Sequence, residues 1–214
     1  MLANLFQIKQ FQEFFNDKEL ILEKYGKNEF QEFCEKFRSK EFQVGLSIWH
    51  QIASRQLENV NPYAIANFIS SPPVSLCEEI NKIVGKEVIN DILYFYGRVN
   101  DSSLEFNDFA EILLIVTSNN ELLIGDIAFS NPYQRIVNPR YIYQEFKGLG
   151  FLGEFMGIVE NYCNEQGIRR CFLTAAALDL VPLFEKYGYK VQEDPMSQFA
   201  LKSGASIPMY KLFD

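Results

Sequence analysis

Two glycines one residue apart, in Glu145-Phe146-Lys147-Gly148-Leu149-Gly150, stand where a strand-like run gives way to a run with helical spacing. A turn of this kind leaves backbone N–H groups without partners at a helix N-terminus. Those donors and the helix dipole together favour an anion, a phosphate or pyrophosphate above all. Glycine suits the position because a Cβ would obstruct the close approach. The carboxylates with a candidate role in moving protons are Asp126, Glu111 and Glu145. Asp126 follows Gly125 inside an apolar run, an odd place for an ordinary surface charge, although a solvent-facing position in an alternating strand would also account for it. The sole histidine, His50, lies beside Trp49 in a helical run and reads as structural. No serine–histidine or cysteine–histidine pairing emerges, so hydrolase-type nucleophilic catalysis has no support. The four cysteines, Cys34, Cys77, Cys163 and Cys171, lack CxxC spacing, which argues against zinc. Reduced, mostly buried thiols in a cytoplasmic protein are the expectation.

The elements that must position these residues fall into two textures. Phe11, Phe14, Phe15, Ile21 and Leu22 suit one helical face, and Phe30, Phe33, Cys34 and Phe37 repeat the pattern after Gly26. Further helical runs span residues 42–57 and 74–86, with Pro62 and Pro72-Pro73 between them. The abundant phenylalanine reads as helix-packing core, with a groove for an acyl chain or peptide as the sharper alternative. From about residue 88 the chain reads as strands. Residues 92–96, 109–117 and 122–129 are rich in β-branched and aromatic residues, and Ser118-Asn119-Asn120 is a turn signal that makes the last two a hairpin. Residues 134–143 read as the next strand, with Pro139 demanding a bulge or an edge. A helix over 149–166 stops at Gly167, and a short strand follows at 169–175. A helix over 179–187 stops at Gly188, and two strands close the chain at 189–192 and 206–213. Residues 1–87 therefore form a helical N-terminal region, and residues 88–214 a mixed α/β domain.

The 214 residues are 48% hydrophobic, enough for one large domain or a domain with an extension. No run of about 18 apolar residues predicts a membrane span, and Met1-Leu2-Ala3-Asn4 lacks the features of a signal peptide. Residues 61–133 hold 10 acidic and 3 basic side chains, and so carry −7 of the net charge of −8. Such a segment suits a soluble surface or the attraction of a cation. The absence of a basic cluster argues against nucleic-acid binding.

The domain resembles the GNAT superfamily of acyl-CoA-dependent N-acyltransferases over roughly residues 105–214. Lys147-Gly148-Leu149-Gly150 is similar to the end of the family's pyrophosphate loop, Q/R-x-x-G-x-G/A. Leu183-Phe184-Glu185-Lys186-Tyr187-Gly188-Tyr189 is similar to its LYEKLGF segment, and Pro208-Met209-Tyr210-Lys211-Leu212 to its closing M-x-K-x-L strand. Leu123-Ile124-Gly125 fits the family's strand pair. The resemblance implies a mixed, mostly antiparallel central sheet flanked by helices. The family's first strand would lie near residues 5–9 or, preferably, near 92–96 after a helical extension.

The resemblance also implies acetyl-CoA or another acyl-CoA as donor and a primary amine, in a small molecule or a peptide, as acceptor. It places the cofactor against Tyr141, Ile142 and Tyr143, against Glu145, Phe146, Lys147, Gly148, Leu149 and Gly150, and against Phe184. The Ile142 N–H would polarise the thioester carbonyl, a contact worth about 3 kcal/mol at a developing oxyanion. An amine with a pKa of about 10.4 needs a base or a water chain to one. Asp126 is the expected base, and Tyr187 the expected catalytic hydroxyl. Three positions depart from the family. Glu145 replaces Gln or Arg, Phe184 replaces the tyrosine that often protonates the thiolate, and Ala177 replaces a frequent asparagine. They favour a rival expectation, a CoA- or peptide-binding module without efficient turnover. Gly150, Gly153 and Gly157 share one side of a helix, which suits close packing on the sheet or room for an acyl group longer than acetyl. A partner-binding helical protein is the third alternative.

Overall fold

Six strands from residue 89 onward and one from residues 20–25 form one seven-stranded sheet. The structure is a computed structural model and describes residues 13–15, 18–29, 89–134 and 148–213. In chain order the elements are β1 (Leu20–Tyr25), β2 (Ile89–Val99), β3 (Asp108–Thr117), β4 (Glu121–Phe129), α1 (Phe151–Gln166), β5 (Arg170–Ala177), a 3-10 turn (Leu178–Leu180), α2 (Val181–Glu185), β6 (Lys190–Val191), α3 (Pro195–Ser203) and β7 (Ala205–Leu212). The sheet order is β1-β2-β3-β4-β5-β7-β6. Every neighbouring pair is antiparallel except β4 and β5, which the α1 crossover makes parallel.

The two faces of the sheet bury separate clusters. On one face Leu93, Phe95, Ile112, Leu114, Leu122 and Ile124 meet α1 through Phe151, Phe155 and Val159, and meet α2 through Val181 and Phe184. The other holds Ile92, Tyr94, Leu113, Ile115, Leu123 and Phe172, and its buried members are all strand residues among those described. Period-two alternation along β2, β3 and β4 sorts the side chains between the clusters. β3 lies near the middle of the sheet and is buried on both faces.

The helix stops follow the glycines. At the end of α1, Gly167 adopts φ 63° and the Ile168 N–H reaches the Cys163 carbonyl at 2.8 Å. At the end of α2, Gly188 adopts φ 85°, its N–H bonds Glu185 at 2.9 Å, and the Tyr189 N–H bonds Phe184 at 3.2 Å. Both are Schellman ends, in which a left-handed glycine lets the chain satisfy the last carbonyls. α3 begins at Asp194, whose carboxylate accepts from the Ser197 N–H at 3.0 Å and the Ser197 hydroxyl at 2.6 Å.

Several expectations change. Ile21 and Leu22, assigned to a helical face, lie in β1 and pair with Arg98 and Gly97. The β-branched and apolar residues of Leu20-Ile21-Leu22 meet the exposed edge of β2, and sheet pairing overrides a helical spacing carried by only two of the five residues. The first strand among the described residues is thus Leu20–Tyr25, ahead of 92–96, and residues 5–9 lie outside the described residues. α3, unanticipated, occupies Pro195–Ser203 between the last two strands. The hairpin of β3 and β4, α1 with its Gly167 stop, β5 and β7 appear where expected. The remaining helical runs before residue 88, His50, Cys34 and Cys77, and the expected strand beyond Gln134 lie outside the described residues.

Core packing turns on small residues in places. A Cβ at Gly97 would come within 2.8 Å of the Phe109 ring, which is fully buried. Gly97→Ala is therefore expected to destabilise by about 1–3 kcal/mol through overpacking, read as a lower denaturant midpoint at constant m-value. A second consequence involves ionisation. The Tyr189 hydroxyl donates to Cys171 Sγ at 3.1 Å inside the core. Burial first, then the neighbouring Cys171, pushes the Tyr189 phenol well up. A hydrogen bond with Cys171, then burial, raises the Cys163 thiol far above its ordinary value. Both groups are neutral in the folded and unfolded chain below the unfolded values of about 8.5 for cysteine and about 10 for tyrosine. Above those values the unfolded chain loses protons that the folded chain keeps, so stability falls as pH rises. Tm should drop between about pH 8 and about pH 10.5, less steeply in Cys163→Ala and in Tyr189→Phe; a level Tm in the parent protein would contradict the assignment.

Candidate functional site

β4 and β5 pair through only three positions, Glu121↔Arg170, Leu122↔Cys171 and Leu123↔Phe172. Beyond Leu123 the two strands have no register partners in each other, so among the described residues the ladder opens between Ile124–Phe129 and Leu173–Ala177. A bulge accompanies the opening. Leu113 pairs with Asp126 while Leu114 pairs with Ile124, which makes Gly125 the extra residue of β4. A Cβ at Gly125 would lie 3.0 Å from Leu113 Cδ2, so the bulge is also a close approach.

Helix α1 begins at the open end. Its first residue, Phe151, meets Phe129 at the end of β4 with ring centroids 6.3 Å apart, and Phe155 lies 6.4 Å from the same ring. Its other end is held at the closed end, where Asn120 Nδ2 donates to the Gly167 carbonyl at 2.9 Å. The α1 N-cap is Gly150 at φ 81°, and no side chain caps the helix there. Gly148 lies at φ 89°, and neither glycine has a heavy atom within 4 Å of where its Cβ would stand. Among the described residues nothing therefore crowds the Cβ side of the two glycines that lead into α1. Glu154 is the acidic residue of that turn and interacts favourably with the helix dipole.

The expected site residues separate into three groups. Gly148, Leu149 and Gly150 form the turn before α1, with Leu149 exposed. Asp126 is half-buried on β4 just after the bulge, in register with Leu113 and so on the sheet face opposite α1. Tyr187 is half-buried against the α1-side core. A Cβ on Gly153, in the first turn of α1, would stand 3.3 Å from the Tyr187 hydroxyl. Asp126 and Tyr187 therefore flank the opening from opposite faces. Phe184 is 5% exposed and packs edge-on against Tyr189 at 6.4 Å. Tyr141, Ile142, Tyr143, Glu145, Phe146 and Lys147 lie outside the described residues.

The glycine stripe of α1 packs otherwise than either expectation held. Gly153 faces Tyr187, and Gly157 is exposed with nothing within 4 Å of its would-be Cβ. Among the described residues the strand that parts from β5 is β4, ending at Phe129. The signal for that was the glycine–aspartate pair inside an apolar run, which marks a bulge where pairing changes.

No family model and no curated protein matches the chain. Solved structures do. An acetyltransferase of the GNAT family from Staphylococcus aureus MU50 is similar at 11% identity and a TM-score of 0.41, over 92% of this chain and 100% of that one. The PaiA N-acetyltransferase of Thermoplasma acidophilum, solved with coenzyme A, is similar at 14% identity and a TM-score of 0.37, over 91% of this chain and 99% of that one. A spermidine N-acetyltransferase chimera of Vibrio cholerae origin is similar at 15% identity and a TM-score of 0.39, over 90% of this chain and 95% of that one.

The two glycine classes on and before α1 predict opposite signs for one substitution. Gly150→Ala forces a left-handed conformation on a residue with a Cβ and should cost about 1–2 kcal/mol. Gly157→Ala removes a flexible residue from an exposed helix interior and should stabilise by about 0.5–1 kcal/mol. Chemical denaturation of the two variants side by side checks both.

Proposed function

We propose that the protein is an N-acyltransferase that moves an acyl group, acetyl first among them, from acyl-CoA to a primary amine. One observation carries the reading: the opening between β4 and β5, with the uncapped, glycine-flanked N-terminus of α1 at its mouth. An extended amide-bearing chain suits a place where two parallel strands part, lying between them as a further strand would. The helix terminus offers donors to a pyrophosphate at one end of that chain. A pantetheine with its diphosphate combines these two requirements in one molecule. The resemblance of Lys147-Gly148-Leu149-Gly150 to a pyrophosphate loop is consistent with it.

Within this reading Gly148, Leu149 and Gly150, with Glu145, Phe146 and Lys147 before them, cradle the diphosphate. Tyr141, Ile142 and Tyr143 approach the thioester, the Ile142 N–H polarising its carbonyl. Asp126 takes the proton from the amine, directly or through water. Attack of the amine nitrogen on the thioester carbon then breaks the carbon–sulfur bond, and the departing thiolate takes up a proton. Phe184 supplies apolar wall and no proton. The acceptor is an amine-bearing small molecule or a peptide, and the reaction is that of a cytoplasmic protein. Among the described residues no helix is long and apolar enough to cross a membrane.

A second reading follows from Phe184, which stands buried where the resembled family often has its tyrosine. With no acid for the thiolate, the protein would bind acyl-CoA without efficient turnover. Release of free CoA in the presence of amines separates the two readings.

The first test is thermal stability against CoA, acetyl-CoA and longer acyl-CoAs. A ligand at about 100 times its Kd should add about 2.7 kcal/mol. Gly148→Glu should abolish that gain by blocking the turn and repelling the diphosphate, while Gly148→Ala, which adds a Cβ without the charge, should reduce it less. Equal stabilisation of the parent protein and Gly148→Glu would place the diphosphate elsewhere. No stabilisation by any of the ligands would sink the CoA reading altogether.

A further inference from the structure

We draw no further inference here: the strongest candidate, the strand-only face of the sheet, where an apolar patch of Ile92, Ile115, Leu123 and Phe172 adjoins the polar cluster of Glu23, Arg98, Glu111 and Asp126, carries nothing, because nothing among the described residues shows what covers the patch and no second observation points to a ligand at the cluster.

Discussion

The site depends on the early ending of one pair of strands. β4 and β5 are joined by three register positions and then part. Parallel strands reached through a helical crossover would ordinarily continue side by side, because every unmade ladder bond leaves polar groups that must find another partner. Here the bulge at Gly125 changes the direction of β4 just past Leu123, and the strand follows β3 while leaving β5. β5 is carried the other way by its seven register pairs with β7, from Arg170↔Leu212 to Ala177↔Ala205. The opening is thus a contest between neighbours on two sides, which the shared pair loses after three residues.

The second requirement is that a helix start at that opening. The α1 crossover meets it through both ends. Phe129 against Phe151 and Phe155 sets the N-terminus beside the end of β4, and Asn120 on Gly167 sets the C-terminus beside its beginning. The helix start is thus anchored by aromatic packing from within, where no side chain caps it. Charge follows the same division. The half-buried carboxylate of Asp126 lies on the face opposite α1, so it does not oppose an anion at the helix terminus.

Much of this was legible in the chain. The apolar run of β3, the Ser118-Asn119-Asn120 turn and the Gly167 and Gly188 stops are local signals, each tied to one backbone requirement, and each appears in place. Gly148 and Gly150 carried their message for the same reason: both adopt the left-handed conformation that other residues avoid. What was not legible was settled by partners distant in sequence. Ile21 and Leu22 became strand because Arg98 and Gly97 lay opposite. The approach of Tyr187 to Gly153 joins α1 to the turn after α2, and no spacing within either predicts it. The opening of the sheet could have been read from Gly125-Asp126, yet its position relative to β5 required the register.

β1 shows how far such distant pairing reaches. It sits at the sheet edge, and its partner strand begins only after residues 26–88. Adding it closes a loop of that length, whereas β2, β3 and β4 follow one another through short turns. Closure entropy grows only with the logarithm of loop length, by about 0.6 kcal/mol for each doubling. The length of that intervening segment is therefore nearly neutral for the sheet. Insertions and deletions there leave the pairing of β1 with β2 in place, and the early parting of β4 and β5 with it, so chain length between the first two strands can change without any change in the sheet.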